Sequence, residues 1–336
     1  MHPFLSPAAC PVAARPEGRA VPPHVPREQV ATVSAPPRTT RTMQLSRFLQ
    51  SDDLLASLKG MEPGRLRETM LARTRQWYDA HPGEHDLVRA NMQRFGLDSS
   101  ERAVDAVIEH VALHYFEKLV PLCMGTGDFR EFLDARVDAA DAAAAIAAAR
   151  KNGKGVLVAS GHFGAVEFVV PALATHNLPI AAALRFKTEE FSRSAHAHAR
   201  AFAESGLFSP ISFIEVGRPG THAALDMAAA LRRKDVLLSV FDEKTDYSVE
   251  VSLFGRKVWG GAGLDKLMAF AGADAAAFAA FMIRDAGEGY RLSLSELETG
   301  PAGFVRQMYA HLERVARAHP EQWYFLHEDI PFVEQA

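Results

Sequence analysis

The sequence predicts an α/β fold: a mainly parallel central sheet with helices on both faces, preceded by a helical region. Three observations carry this expectation. From Gly153 onward, short apolar runs alternate with stretches of helix length, the grammar of strands joined by crossover helices. The runs are short and predominantly apolar rather than strictly alternating, as strands buried on both faces are. Before Gly153, from Met43 to about Arg150, only helical spacing is found.

The elements follow in chain order. Residues 1–42 hold nine of the nineteen prolines, and five arginines against two glutamates. Such a segment buries too little apolar surface to offset its ordering entropy, and it reads as a disordered tail. Met43 opens a different sequence and is an alternative start site. Residues 43–150 read as a helical region packing on the core. "MQLSRFLQSDDLLASLKGM" places Leu45, Phe48, Leu49, Leu54, Leu55 and Leu58 at three- and four-residue spacing. "VDAVIEHVALHYFEKLV" continues that spacing, and "VDAADAAAAIAAAR" is an alanine-rich helix. Residues 151–331 read as the α/β core. "GVLVAS" (155–160), "IAAAL" (180–184), "ISFIEV" (211–216) and "DVLLSVF" (235–241) are its buried strands, with helices near 164–176, 189–205 and 219–233 between them. "SVEVSLF" alternates as an edge strand or hairpin does. "AFAAFMIRD" and "YRLSLSEL" form a closing strand pair, and 301–318 a last helix.

A net charge of −4 gives no reason to expect a nucleic-acid partner. Cys10 and Cys123 are far apart and suggest neither a disulfide framework nor a metal knuckle, so a reducing, cytoplasmic compartment is expected; no metal or cofactor is expected either. No apolar run reaches membrane-spanning length, although the 43–60 segment could lie in a membrane interface with its Leu/Phe face down.

Chemistry concentrates at "VLVASGHFGAVEF". In a parallel sheet, ligands bind outside the carboxyl ends of the strands, and His162 stands two residues past one such end. Gly161 and Gly164 flank it and allow a sharp turn and close approach of a substrate. Glu167 follows five positions on. If the chain folds back, its carboxylate reaches the imidazole, fixes the tautomer and supports the imidazolium, as a general base requires. The alternative is a capping histidine beside a surface glutamate. No nucleophile elbow is present, which favours direct transfer over a covalent enzyme intermediate. His110 and His114 have metal-ligand spacing on a helix, but Val111 stands where a zinc protease needs glutamate, so they read as structural. "WGGAG" (259–263) is either an anion cradle at a helix N-terminus or a tight connection. Phe186, Phe191, Phe202 and Phe208 read as core or as the lining of an acyl channel.

H-F-G-A-V-E resembles the histidine-x4-acid motif of glycerolipid-type acyltransferases, and its flanks resemble the bacterial lipid A biosynthesis (lauroyl/myristoyl-type) branch. Ordered blocks extend the resemblance over roughly residues 85–330: "VRANMQRFGLDSSE", "LRFKTEEF", "VGRPGTHAALDMAAALRRKDVLLSVFDEK", "VSLFGRKVWGGAGLDKLMAFAGA" and "HPEQWYFLHEDI". The resemblance implies a glycerolipid acyltransferase-like fold. It also implies transfer of a fatty acyl group from acyl carrier protein, or acyl-CoA, to a hydroxyl or amine of a lipid A-type or other lipid acceptor, at the inner face of the inner membrane. His162 is then the base and Glu167 its orienting partner. Arg185 and Arg218 bind phosphate or the thioester oxyanion, and Asp242 supports the site or binds acceptor. Three departures from the pattern bear on the acceptor: Ala165-Val166 replace Asn-Trp, Glu243 replaces Gln, and an N-terminal membrane span is lacking. An acyltransferase on a soluble or carrier-bound intermediate, a thioesterase using the same base on water, and a non-catalytic lipid-binding module are the rival readings.

Overall fold

The computed structural model describes residues 41–186, 189–217, 220–243, 245, 248–298 and 303–333. The proline-rich tail, up to residue 40, and Arg218 lie outside them.

The helical region comprises α1 (Arg41–Leu49), α2 (Asp52–Ser57), α3 (Pro63–Ala80), α4 (Pro82–Arg94), α5 (Glu101–Leu119) and α6 (Thr126–Arg136). Proline at the first position starts α3 and α4, where its missing N–H costs nothing. Ser100 caps α5 by accepting from the Ala103 N–H. Leu45, Leu49, Leu54 and Leu58 are buried in the same core as the sheet residues. Most of the leucines of the apolar face that a membrane interface would need are thus taken up by the protein's own core, while Leu55 stays exposed and Phe48 half-buried. No described helix is long and apolar enough to cross a membrane.

A two-residue strand, β1 (Val137–Asp138), and α7 (Ala140–Lys151) lead into the core. There β2 (Gly155–Ser160), α8 (Val169–Ala174), β3 (Ile180–Leu184), α9 (Glu189–Ser205), β4 (Ile211–Glu215), α10 (Ala223–Arg232) and β5 (Val236–Val240) alternate as the apolar runs predict. A hairpin follows, β6 (Ser248–Leu253) and β7 (Arg256–Gly261), turning at Phe254-Gly255 with φ of 52° and 72°. The chain continues through α11 (Gly263–Ala271), β8 (Ala275–Arg284), β9 (Tyr290–Leu297) and α12 (Phe304–Ala318).

The seven-stranded sheet has the order β1-β9-β8-β2-β5-β3-β4. Strands β8, β2, β5, β3 and β4 are mutually parallel, and β9 closes antiparallel on β8. Every residue of β2 and of β8 is buried, as both-face coverage requires. The hairpin forms its own two-stranded sheet.

Two differences from the sequence reading have local causes. The edge strand β1 falls in the stretch read as helical, and two residues are too short to show a period. The helix read near 164–176 starts late: a 3-10 turn at Val166–Phe168 precedes α8. The residues before it are tied elsewhere. Gly164 N–H donates to the Gln322 carbonyl, and Ala165 N–H to that of Met282.

Candidate active site

Register places the site. Ser160 of β2 lies opposite Val240 of β5, and Ser239 opposite Ala183 of β3. Two residues beyond each end, His162 and Asp242 become neighbours across the sheet's carboxyl edge.

Asp242 is fully buried. Its Oδ2 accepts from the His162 backbone N–H at 2.7 Å, and its Oδ1 meets the His162 Nδ1 at 2.8 Å. A carboxylate in this position makes Nδ1 the protonated nitrogen and Nε2 the basic one. Gly161 admits this approach, since a Cβ there would stand 3.0 Å from Asp242 Oδ2. The imidazole packs on Phe325, 4.8 Å between ring centroids, with its side chain a quarter exposed. Burial disfavours the imidazolium. The Asp242 charge and hydrogen bond outweigh that, with Glu243 and Glu328 adding to them, and raise the His162 pKa to about 9.

Glu167 does not make the contact expected of it. Its Oε1 lies 3.9 Å from Nε2 of His114 on α5. His162 and Glu167 share a turn and the start of a helix, and Asp242 holds the imidazole nitrogen that Glu167 was expected to hold. His114 is itself buried, and burial together with neighbouring cations holds its pKa well below the usual imidazole value, so it is neutral. Its ring lies 4.4 Å from that of Tyr324, which is 6.2 Å from His162.

Gly164 has a different use from close approach of a substrate. Its φ is +58°, and a Cβ there would run into the Met282 carbonyl oxygen. Protein fills the space beside it. The turn is tied along its length: His162 C=O accepts from Tyr324 N–H at 3.0 Å, Phe163 N–H donates to Gly161 C=O, and Gly164 C=O accepts from the Arg284 guanidinium at 2.9 Å. Arg185 lies exposed just past β3, its guanidinium close over Gly217. Gly260 of the "WGGAG" segment faces Val305 and Tyr309, and Gly261 faces Thr245, the close packing of a tight connection. Phe202 and Phe208 stack with Phe129 in an aromatic cluster, while Phe186 sits on Phe213; the Phe191 side chain lies outside the description.

Sequence reasoning missed Glu117, Arg284 and Gln322. A signal existed for the first two. Glu117 follows the aromatic pair Tyr115-Phe116 on the buried side of α5 and Arg284 ends an apolar strand, and charges in such settings are buried only when paired.

The model of the bacterial lipid A biosynthesis acyltransferase family matches residues 71–330. No curated protein matches the chain.

Proposed function

The chain belongs to the bacterial lipid A biosynthesis acyltransferase family and is an acyltransferase; we propose that His162 is its general base and Asp242 the carboxylate that orients it, in place of Glu167. The observation that carries this reading is the two-point contact between His162 and the buried Asp242, at 2.7 and 2.8 Å.

The donor is a fatty acyl thioester on acyl carrier protein or coenzyme A, and the acceptor a hydroxyl or amine of a lipid. The acceptor oxygen or nitrogen attacks the thioester carbonyl while its proton passes to Nε2 of His162. The imidazolium that forms is stabilised by Asp242. The tetrahedral oxyanion collapses, the carbon–sulfur bond breaks, and the leaving thiolate takes the proton from His162. Ester or amide and free thiol result, with no covalent enzyme intermediate. In this reading Arg185, exposed at the same edge of the sheet, binds a phosphate of donor or acceptor, and Arg218 shares that role from the family pattern. A lipid acceptor brings the enzyme to a membrane face, met from the cytoplasmic side where the thioesters are.

The test is product analysis by mass spectrometry with a panel of acyl carrier protein and coenzyme A thioesters. Wild type forms acylated acceptor, and His162→Ala forms none while remaining folded by circular dichroism, although less stable because the buried Asp242 loses its partner. Full activity of a clean His162→Ala preparation defeats the reading. Free fatty acid released equally with and without acceptor shows a hydrolase instead.

A further inference from the structure

Arg284 ends β8 and is buried, as is its partner Glu117 on α5. Arg284 Nε donates to Glu117 Oε1 at 2.6 Å and Nη2 to Oε2 at 2.7 Å, a bidentate pair. Burial raises the Glu117 carboxyl pKa and Arg284 opposes it, so the carboxylate depends on the guanidinium for its charge. The same Nη2 donates to the Gly164 carbonyl at 2.9 Å. Nη1 lies 3.1 Å from Nδ1 of His110. A guanidinium cannot accept, so this Nδ1 is unprotonated. Burial first, then Arg284 and His319, lowers the His110 pKa to about 3.

The backbone of Arg284 is held in turn by Gln322. The Gln322 Oε1 accepts from Arg284 N–H, and its Nε2 donates to Arg284 C=O, both at 2.9 Å. The Gln322 carbonyl accepts from Gly164 N–H at 2.9 Å. Both polar groups of Gly164 are therefore fixed to one frame, made of Arg284, Glu117 and Gln322. That frame joins α5, β8 and the C-terminal block, and His162 sits two residues away.

A buried ion pair is a poor source of stability, because apolar residues of similar volume usually serve as well. What apolar residues cannot do is donate to the Gly164 carbonyl. We infer that Arg284 is a positioning residue for the reaction: held by Glu117 and Gln322, it fixes the turn that aims the His162 imidazole at the acceptor. The inference rests on His162 being the base. Proton transfer tolerates little displacement, and a misplacement of about 1 Å costs about 10²-fold in rate.

The test uses the full chain and the acyl-transfer assay. Glu117→Leu/Arg284→Met removes both charges together, so neither is left buried alone. The expected result is a folded protein whose kcat falls by about 10²-fold while KM for the thioester stays near wild type. The pH at half-maximal rate should also stay put, because Asp242 sets it. Arg284→Lys keeps a charge opposite Glu117 but cannot reproduce the fork that reaches both Glu117 and Gly164. It should fold and show a smaller loss of kcat with the same unmoved pH profile. Full kcat in the folded double variant overturns the inference. If that variant does not fold, full kcat in Arg284→Lys overturns it equally. His162→Ala separates the two levels. If it is inactive while the Arg284 variants are fully active, only the positioning role is lost. If it is active, the base assignment falls first.

Discussion

Replacing Asp242 by Asn tests the site where its electrostatics are strongest. In the wild type the folded His162 pKa is about 9 against an ordinary 6.5. At 1.36 kcal/mol per pH unit, that interval favours the imidazolium by about 3 kcal/mol. At pH 7 about one imidazole in a hundred is then in the basic form, so kcat/KM of the wild type should climb with pH toward a midpoint near 9. Asp242→Asn removes the largest raising charge and leaves burial, opposed only by the weaker Glu243 and Glu328 charges, so the midpoint falls well below 9. It also frees the wrong tautomer, and the loss of an oriented base is worth about 10²- to 10⁴-fold. The loss relative to wild type is therefore greatest above pH 9 and shrinks toward pH 6. Acyl transfer measured from pH 5.5 to 10 reads both effects, and NMR titration of the His162 ring reads the pKa directly. Stability carries the same sign. A folded pKa raised above the unfolded one gives stabilisation that is complete below pH 6.5 and lost as pH rises through about 9. Urea unfolding should thus separate variant from wild type by about 3 kcal/mol more at pH 6 than at pH 10. A uniform loss of rate with an unmoved profile would refute the assignment of Asp242.

Other perturbations have defined outcomes. Glu167→Gln should cost less activity than Asp242→Asn and leave the pH midpoint in place, since the Glu167 carboxylate lies against His114; equal losses in the same assay would return Glu167 to the base. Gly164→Ala should destabilise the fold by at least about 2 kcal/mol, because φ is +58° and the added methyl meets the Met282 carbonyl; thermal melting measures it. Cys123 is buried and burial raises its thiol pKa to about 11, so peptide mapping after alkylation at pH 8 should find it unmodified in the folded protein and modified in urea.

The sheet was legible because its central strands are apolar on both faces and end at residues with turn chemistry. The edge strand β4, read as buried, is only partly so. "GVLVAS" and "IAAAL" became β2 and β3 with the same bounds. The edge strand β1 was not legible, because its two residues are defined by pairing with β9 rather than by any pattern of their own. At the site, His162 stood out by its place after a buried strand. Its partner did not, because partnership depended on register. Glu167 is five residues from His162 in the chain and Asp242 is eighty, yet β2 and β5 are neighbours in the sheet and bring Asp242 alongside. Arg284 and Glu117 were hidden for the same reason. Their separation of 167 residues leaves no local trace, and only the contrast of a charge with its apolar surroundings marks them.

The ties along the catalytic turn have a consequence for the negative charge that develops on the thioester oxygen. His162 N–H is given to Asp242, Phe163 N–H to Gly161, Gly164 N–H to Gln322 and Ala165 N–H to Met282. The turn has spent its amides on its own rigidity and has none of these four left to cradle an oxyanion. On the proposed mechanism, stabilisation of the transition state comes from groups other than these four amides, such as a long cationic side chain like Arg185 at the sheet edge. In that mechanism the base is built in before substrate arrives, whereas an oxyanion contact from Arg185 would form only with the donor in place. Mismatched donors should therefore lose kcat rather than binding.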